Sequence, residues 1–314
     1  MKRNKILIIG SLNLDLVVNV DHMPAVGETI LCPSMDMIPG GKGANQACAA
    51  GRLGADAAML GVTGQDTYAD ILFESLKNSG VNTSHIIRRK DKTTGVAWIT
   101  VNKDGDNSIV VVSGANASLS VQDIEEHREL IQESEVVILQ MEIPLDTVCH
   151  AAKLAKAMGK TVILDPAPAP KAFPEELYPL VDVLKPNETE LALLTGMEVE
   201  DYKKASELLR KKGVKEVLVT LGDQGVYLNS GTMGKLYLPG YQVEAVDTTA
   251  AGDTFTAALG LMLAKGKNIS EAAAFANGIS AMVVMRKGAQ SSIPSMDEIR
   301  ACPFLDKELI QMID

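Results

Sequence analysis

Cysteine and excess basic charge are both scarce in this sequence of 314 residues. Its four cysteines, Cys32, Cys48, Cys149 and Cys302, lie far apart, with no CxxC pair and no histidine at metal-ligand spacing. This distribution indicates reduced thiols and argues against a zinc site or a disulfide framework. The formal net charge of -10 argues against the concentrated basic surface that nucleic acids and anionic membranes require. We therefore expect small-molecule partners, with neither nucleic acid nor membrane among them.

Long apolar runs are also missing. No stretch approaches the roughly 20 residues that a helix needs to cross a bilayer. The N-terminal "MKRNKILIIG" is basic and then apolar, but its apolar part has the length of a strand and ends at polar Ser11, Asn13 and Asp15. This pattern does not fit a signal peptide. We expect the protein in the cytoplasm.

Internal repeats, low-complexity tracts and flexible linkers are absent, which favours a single domain over residues 1–314. Short β-branched runs such as "KILIIG", "TVILDPA" and "EVLVTLG" alternate with segments of helical period such as "DTVCHAAKLAKAMGK". Continuous apolar strands alternating with amphipathic helices predict an α/β fold, in which a doubly wound, mostly parallel sheet is covered on both faces. Ligands then gather at the carboxyl ends of the strands.

Two excursions interrupt this alternation, at about residues 14–40 and 93–113. Both read as strands without helices, and "NKDGDN" in the second predicts a hairpin turn. Together they predict a small β-sheet that lies over the core as a lid.

The common phosphate-binding signatures are missing. No GxxxxGK[ST] occurs, and "GKGANQ" fails GxGxxG because Gln46 stands at the third glycine position. In "PGGKGANQ", however, Gly40, Gly41 and Gly43 let a ligand approach the backbone closely where a helix begins. The alternative is that these glycines only turn the chain into the helix and leave Lys42 solvated.

The stretch "DTTAAGDTF", residues 247–255, precedes a second apolar helix. Free N–H groups at a helix start suit an anion, and the small Ala250, Ala251 and Gly252 leave room for phosphate oxygens. Asp253 could then act as a base. The alternative is that Asp253 or Thr248 only caps the helix.

The motifs "GSLNLD", "GGKGANQA", "PNETE", "TLGDQG", "DTTAAGD" and "RKGAQ" occur in this order along the chain. In sequence and spacing they resemble the ribokinase family of sugar and nucleoside kinases over essentially the whole length. The resemblance implies a three-layer α/β core with a β lid, and a homodimer formed through the lid sheets. It also implies that ATP is the phosphoryl donor, with Mg²⁺ and a monovalent cation, usually K⁺.

By this resemblance Asp253 is the catalytic base, and the amides of Ala250, Ala251 and Gly252 form the anion hole. A sequence argument independently favours a polar site at Asn13 and Asp15, which lie two apart on a probable strand and so share a face. The alternative for this pair is a polar edge strand. The sugar-binding residues that the resemblance implies are Asn13, Asp15, Gly41, Lys42, Asn45, Glu142 and Asp253.

For the nucleotide, "PNETE" and "TLGDQG" each have a structural alternative. Asn187 and Glu190 form a capping-box pattern, and we expect them both to start a helix and to lie near the phosphates and Mg²⁺, Glu190 acting directly or through water. "TLGDQG" could be an ordinary tight turn. The nucleotide-binding residues that the resemblance implies are Asn187, Thr220, Leu221, Gly222, Asp223, Gln224, Gly225, Gly252 and Asn277.

The resemblance places a monovalent cation beside the anion hole, held chiefly by backbone carbonyls. The matching positions are Asp247, Thr249, Val283, Arg286, Gly288 and Ser292. The sequence departs from the usual pattern at Thr249, often apolar in the family, and at Asn277, where histidine also occurs. No chemistry is assigned to "DPAPAP" at residues 165–170.

The activity that the resemblance implies is ATP-dependent phosphorylation of D-ribose at its O5 hydroxyl. Two alternatives stay open. One is a related kinase acting on another sugar, such as deoxyribose or fructose, or on a nucleoside, because the pocket can change while the phosphate site stays the same. The other is a non-catalytic sugar-binding regulator, against which the intact Asp253 argues.

Overall fold

A computed structural model describes residues 4–313 of the chain. Its strands are β1 Lys5–Ile9, β2 Asn13–Val20, β3 Met35–Gly40, β4 Asp56–Leu60, β5 Val62–Gly64, β6 Ile87–Arg89, β7 Gly95–Asn102, β8 Asn107–Val112, β9 Val136–Leu139, β10 Thr161–Leu164, β11 Val183–Leu184, β12 Glu216–Thr220, β13 Gly225–Ser230 and β14 Gly234–Pro239. Its helices are α1 Lys42–Arg52, α2 Thr67–Asn78, α3 Val121–Glu126, α4 Arg128–Glu133, α5 Leu145–Ala157, α6 Glu188–Thr195, α7 Tyr202–Lys211, α8 Ala251–Ala264, α9 Ile269–Val284, α10 Met296–Arg300 and α11 Lys307–Gln311.

The main sheet has eight strands in the order β14-β13-β12-β11-β10-β9-β1-β4. The six strands from β12 to β4 run parallel, whereas β13 and β14 are antiparallel to their neighbours. Parallel strands need crossover connections, which the intervening helices supply. The predicted mostly parallel, doubly wound sheet is confirmed.

The main sheet is covered on both faces, as the side chains of β1 show. Ile6 and Ile8 pack in one core cluster, which includes residues of α1, α8 and α9. Leu7 and Ile9 pack in a second cluster, which includes residues of α5 and α7. Successive side chains of a strand point to opposite faces, so the four consecutive apolar residues Ile6–Ile9 separate two cores. This arrangement gives the three predicted layers.

A second sheet has four strands in the order β3-β2-β7-β8. Strand β2 pairs parallel with β7 and antiparallel with β3, and β7 and β8 form an antiparallel hairpin. The hairpin turn lies at residues 103–106, within the predicted "NKDGDN". The expectation of a separate small sheet is confirmed. Because β2 lies inside this sheet, the alternative of a polar edge strand for Asn13 and Asp15 is wrong.

The carboxyl ends of the parallel strands deliver polar residues to one edge of the main sheet. Gln140 follows β9, Asp165 follows β10 and Lys185 follows β11. Neighbouring parallel strands end side by side, so these side chains converge although they are distant in sequence. No helix within residues 4–313 combines the length and apolar character needed to cross a membrane.

Candidate active site

A cleft of about 610 Å³ opens at this edge, between the main sheet and the start of α8. It brings together residues that the sequence predicted from separate motifs. The predicted residues that line it are Lys42, Asn187, Glu190, Thr220, Gly222, Asp223, Gly225, Ala250, Ala251, Gly252, Asp253 and Asn277.

Helix α8 begins in an unusual conformation. Ala250, its N-terminal flanking residue, has a φ of 61° and is the only residue other than glycine with positive φ between positions 4 and 313. Such a left-handed alanine is uncommon and tends to mark a functional site. No side chain caps this helix, so the alternative in which Asp253 or Thr248 serves only as a cap is wrong.

The amides at this helix start are not equivalent. The N–H of Ala251 donates to the Thr248 carbonyl at 3.2 Å. Gly252 and Asp253 occupy the second and third helical positions, whose N–H groups have no partner inside the helix. The unpaired helical donors are therefore those of Gly252 and Asp253, of which only Gly252 belongs to the predicted set of Ala250, Ala251 and Gly252.

Two amide side chains hold the Asp253 carboxylate, which is only 6% exposed. Asn45 Nδ2 donates to Asp253 Oδ2 at 3.0 Å, and Gln46 Nε2 donates to Asp253 Oδ1 at 3.1 Å. Both amides come from the second turn of α1, directly after the glycines of "GGKGANQ". The close packing of α1 against α8 thus connects two motifs that lie about 200 residues apart.

Two lysines balance the acidic groups of the cleft. Lys185 Nζ lies 3.2 Å from Asp165 Oδ2 and donates to the Gly252 carbonyl at 3.4 Å. Burial raises the pKa of Asp165 to about 6, although Lys185 and Lys42 favour its ionised form. For Lys42, burial opposes the charge, but the surrounding carboxylates, led by Asp253 and Asp165, raise the pKa above its ordinary value. Lys42 is partly buried and surrounded by carboxylates, which contradicts the alternative of a solvated Lys42.

A smaller cavity of about 350 Å³ lies beside the second sheet, and its lining includes Asn13, Asn116 and Glu142. Asn13 Oδ1 accepts a hydrogen bond from Asn116 Nδ2 at 2.8 Å. Glu142 Oε2 accepts from Ser11 Oγ at 2.5 Å and from the Lys42 amide at 3.0 Å, which ties it to the start of α1. Buried polar groups with partners of this kind are built into the fold.

Asp15 lies close enough to Glu142 and Asp253 for their charges to act on it. Burial, together with the carboxylates of Glu142 and Asp253, raises the pKa of Asp15 to about 7. Gly40 and Gly41, which lie against Asp15 and Asn13, have no room for a β-carbon. A Cβ on Gly40 would lie 2.3 Å from Asp15 Oδ2, and one on Gly41, which has a φ of 86°, would lie 2.6 Å from the Asn13 nitrogen.

At the start of α6, the predicted capping box is confirmed. Asn187 accepts from the Glu190 amide at 2.7 Å, and Glu190 Oε2 accepts from the Asn187 amide at 2.9 Å. The turn at Gly222–Gln224 carries Gly222 and Gly225, both with positive φ, to the lining of the cleft. Leu221 and Gln224 do not line it. Leu221 is buried, and the Gln224 carbonyl accepts from Gly240 N and Tyr237 Oη.

Comparison with known proteins assigns the chain to a family. A model of the pfkB family of carbohydrate kinases matches residues 3–296. The chain belongs to this family. The ribokinase of Staphylococcus aureus (strain COL) is 40% identical over 301 residues, covering 94% of this chain and 98% of the relative. The deoxyribokinase of Salmonella typhi is 36% identical over 296 residues, covering 93% of this chain and 96% of the relative.

Solved structures agree with the family assignment. The structure of Arabidopsis thaliana ribokinase complexed with ribose and ATP matches with a TM-score of 0.88 at 33% sequence identity. The match covers 100% of this chain and 99% of that one. The pfkB-family chain described here is therefore a carbohydrate kinase with the three-layer fold and the separate small sheet that the resemblance implied.

The six predicted cation residues of this kinase fall on two adjoining segments beside α8. Asp247 Oδ2 accepts from the Gly288 amide at 2.9 Å, and Asp247 Oδ1 accepts from the Thr249 amide and hydroxyl at 2.9 and 2.6 Å. Burial opposes ionisation of Asp247, but these hydrogen bonds lower its pKa. Val283 accepts through its carbonyl from the Arg286 amide, and the Ser292 hydroxyl donates to the Ala289 carbonyl. The ion itself stays a prediction.

Sequence reasoning missed several residues of the pfkB-family cleft. Asp165 and Lys185 are the clearest examples, because both are almost fully buried and charged. The signals were present: Asp165 opens "DPAPAP" after an apolar strand, and Lys185 opens "KPNETE". Gln46 was noted only as a break in a glycine pattern, yet it bridges Asp165 and Asp253.

Proposed function

We propose that this kinase transfers the γ-phosphoryl group of ATP to the O5 hydroxyl of D-ribose, giving ribose 5-phosphate and ADP. The observation that carries the proposal is the start of α8, where a buried carboxylate, Asp253, adjoins uncapped helix amides in a lysine-lined cleft. The carboxylate assigned as the base is therefore adjacent to the amides assigned to bind the phosphate. The 40% identity to a ribokinase over nearly the whole chain supports ribose as the sugar.

Asp253 acts as the base in this proposal. Phosphoryl transfer depends mainly on positioning and on stabilising charge in the transition state. Asp253 orients the sugar hydroxyl and takes its proton, while the amides of the α8 start, assigned to Ala250, Ala251 and Gly252, stabilise the charge on the transferred group. Of these three, the Ala251 amide must first exchange its bond to the Thr248 carbonyl.

The sugar lies between the second sheet and Asp253 in this account. Its hydroxyls need both donors and acceptors, which the carboxylates, amides and ammonium group of this region supply. The residues assigned to the sugar are Asn13, Asp15, Gly41, Lys42, Asn45, Glu142 and Asp253. Lys42 connects the two halves of the site, because it lines the cleft while its backbone amide bonds Glu142.

The cleft fits a nucleoside triphosphate. A Cβ at Gly225 would lie 2.2 Å from the Leu238 carbonyl, and one at Gly240 would lie 2.0 Å from the Asp223 carbonyl, so this wall can be built only from bare backbone. A flat ring system can approach such a wall closely. ATP supplies the phosphoryl group. The residues assigned to it are Asn187, Thr220, Leu221, Gly222, Asp223, Gln224, Gly225, Gly252 and Asn277, with Leu221 and Gln224 supporting the turn from behind.

Mg²⁺ would be held mainly by the nucleotide. The part of the chain that the structure describes contains no group of three or more histidine, cysteine or acidic side chains that could hold a metal ion. Mg²⁺ usually keeps several waters and shares phosphate oxygens instead of filling an all-protein cage. Glu190, at the wall of the cleft, is the carboxylate assigned to it, directly or through water.

The monovalent cation is assigned to Asp247, Thr249, Val283, Arg286, Gly288 and Ser292. The carboxylate of Asp247 and the carbonyls of two adjoining segments form an oxygen-rich set that suits K⁺. Such an ion would fix the loop before α8 electrostatically. The test compares KCl with tetramethylammonium chloride at equal ionic strength. We expect both the melting temperature and the turnover to rise with K⁺, and equal values in both salts would remove the ion from the account.

The second sheet supports a proposal for the domain organisation and the assembly. We infer one domain over residues 1–314 in which this sheet closes over the sugar and pairs with the sheet of a second copy. All six residues of β8 are exposed, including Ile109, Val110, Val111 and Val112, each more than half exposed. An exposed apolar edge strand is a pairing hazard unless something covers it. A homodimer would cover it.

The location of the protein also stays a prediction. A kinase that consumes ATP is expected where ATP is made, which favours the cytoplasm, and cell fractionation tests this.

A second candidate activity is deoxyribose phosphorylation, which the 36% identity to a deoxyribokinase favours. The discriminating experiment measures ADP release with ATP and Mg²⁺ from D-ribose, 2-deoxyribose, fructose and adenosine. Selective turnover of ribose supports the proposal. Selective turnover of deoxyribose establishes the second candidate, and sugar binding without turnover establishes a regulator.

A further inference from the structure

Four amide side chains form two chains of hydrogen bonds that both end on Asp253, and we name this set the amide relay. In the first chain Gln290 Nε2 donates to Asn45 Oδ1 at 3.2 Å, and Asn45 Nδ2 donates to Asp253 Oδ2. In the second, Gln140 Nε2 donates to Gln46 Oε1 at 2.6 Å, and Gln46 Nε2 donates to Asp253 Oδ1. All four amides are buried.

The chemistry of a carboxylate dictates the direction of both chains. An ionised carboxylate only accepts hydrogen bonds, so an amide beside it must present its NH₂ group and turn its oxygen away. The oxygens of Asn45 and Gln46 then need donors, since a buried acceptor without a partner is costly. Gln290 and Gln140 supply those donors. Each outer glutamine thus favours the orientation in which the inner amide can hold Asp253. For Gln46, the Asp165 carboxylate favours the same orientation, because it also accepts from Gln46 Nε2 at 3.0 Å.

Gln290 is fixed by hydrogen bonds, whereas Gln140 is held by packing, because its Oε1 has no hydrogen-bond partner among the described residues. Ser75 Oγ donates to Gln290 Oε1 at 2.6 Å, and Arg52 Nη1 donates to the Gln290 carbonyl at 3.0 Å. Gln140 lies against Gly10, where an added Cβ would stand 1.8 Å from Gln140 Oε1. Gln290 also completes the motif "RKGAQ", in which no role had been assigned to it.

We propose that Gln290 and Gln140 are positioning residues, which set the orientation of the Asp253 carboxylate through Asn45 and Gln46. This inference deepens the proposed function and rests on Asp253 being the base. Neither glutamine needs to touch a substrate, because each acts through an inner amide. The relay keeps both carboxylate oxygens aligned for the sugar hydroxyl before the substrate arrives.

The first test replaces each outer glutamine by methionine, which keeps the length of the side chain and removes the donor. For Gln290→Met and Gln140→Met we expect kcat to fall about tenfold or more, a part of what general-base catalysis contributes. KM for ATP should stay near its wild-type value, because neither residue lines the nucleotide cleft. Unchanged kcat in both variants overturns the proposal.

A matched control separates positioning from loss of stability. Asn229 carries another buried amide, whose Nδ2 donates to Ser206 Oγ at 3.0 Å outside the relay. Asn229→Leu should lower the melting temperature and leave kcat unchanged. If Asn229→Leu loses as much kcat as the two methionine variants, the effect is general destabilisation and the proposal fails.

Graded variants test the direction of the relay. Gln290→Glu places an acceptor opposite Asn45 Oδ1 and should turn that amide, so we expect a larger fall in kcat than for Gln290→Met. Ser75→Ala leaves Gln290 in place and should cause a smaller fall. The reverse order would contradict the assigned orientations.

A double-mutant cycle tests the relay without any substrate. An asparagine at position 253 can match either orientation of Asn45, so Gln290→Met should lower the urea midpoint less in the Asp253→Asn background than in the wild type. Equal decreases of the urea midpoint in the two backgrounds would show that Gln290 does not act on Asp253 through Asn45. The two ideas stay separable: if the wild type phosphorylates no sugar, the proposed function fails, while the cycle still decides whether the relay exists.

Discussion

The start of helix α8 and the second sheet differ in how their groups find partners. At α8 both oxygens of the buried Asp253 carboxylate accept hydrogen bonds from amides of the same chain. In the second sheet the apolar strand β8 is exposed along its whole length. Both oxygens of Asp253 have hydrogen-bond partners within one chain. Strand β8, in contrast, exposes apolar side chains that only another surface could bury. We infer that the chemistry is preorganised by the core, while sugar closure and assembly depend on the second sheet.

Apart from changes to Asp253 itself, the largest effect should follow from removing the positive charge of Lys42 at the start of α1. Lys42→Met removes one of the two lysines that balance the carboxylates of the cleft and leaves Lys185, which pairs with Asp165, as the other. We expect kcat to fall about 100-fold or more, as for loss of a transition-state donor. ADP release measures it. The control is Lys235→Met, an exposed lysine paired with Glu207, and a Lys42→Met variant that keeps wild-type turnover would contradict the assignment.

A charge introduced into the second sheet, which a single chain leaves uncovered, should weaken dimer formation. Val110→Asp places a charge on the exposed edge strand, and we expect the dimer dissociation constant to rise about tenfold or more, as when an interface anchor is lost. Light scattering against concentration measures this. Leu193→Asp changes an equally exposed apolar residue, 67% accessible, on α6 and should leave assembly unchanged. A monomeric wild type, or equal effects of both changes, would show that the second sheet is not the interface.

Replacing two glycines that have nearly the same φ allows a direct comparison of the backbone at the start of α1 with the loop between β2 and β3. Gly41, at the start of α1, and Gly27, in the loop between β2 and β3, have φ of 86° and 85°. Gly27→Ala should cost about 1–2 kcal/mol of unfolding free energy, the strain of a positive φ alone. Gly41→Ala should cost more, because its Cβ would also collide with the Asn13 nitrogen. Urea denaturation measures both, and equal costs would mean that the site backbone can relax.

The last comparison concerns the pH dependence of stability. The folded-state pKa of Asp15 is raised to about 7 from an ordinary value of 3.8. The folded chain therefore binds more protons than the unfolded chain between these values, and the contribution of Asp15 to stability decreases as pH rises through that window. Asp15→Asn should remove this dependence, so the stability difference between variant and wild type should change steadily from pH 4 to pH 7. A constant difference would show that Asp15 is ionised throughout.

The layers of the fold could be predicted from the sequence because the signals are local. A strand such as β1, which is apolar from Ile6 to Ile9, separates two cores, and the turn between β7 and β8 is encoded by a single short run. The two parts of the second sheet were also visible as strands without helices. Their pairing was not, because β2 and β7 meet across about 80 residues of chain.

The parts of the site that lie within motifs were predictable, whereas the contacts between motifs were not. Gln46 bonds Asp165 across 119 residues and Asp253 across 207, and Gln290 bonds Asn45 across 245. Such contacts depend on which strands are neighbours and on how α1 packs against α8. Asp165 and Lys185 pair because β10 and β11 adjoin, a relation that neither local stretch contains.

The central claim is that Asp253 is the base of an ATP-dependent ribokinase, and one measurement tests it most directly. Wild type and Asp253→Asn are incubated with ATP, Mg²⁺ and D-ribose, and the sugar product is followed by phosphorus NMR. We predict that the wild type forms ribose 5-phosphate and that the variant is slower by about 100-fold to 10,000-fold, as for loss of a general base. Formation of the same product by the variant at the wild-type rate would contradict the claim.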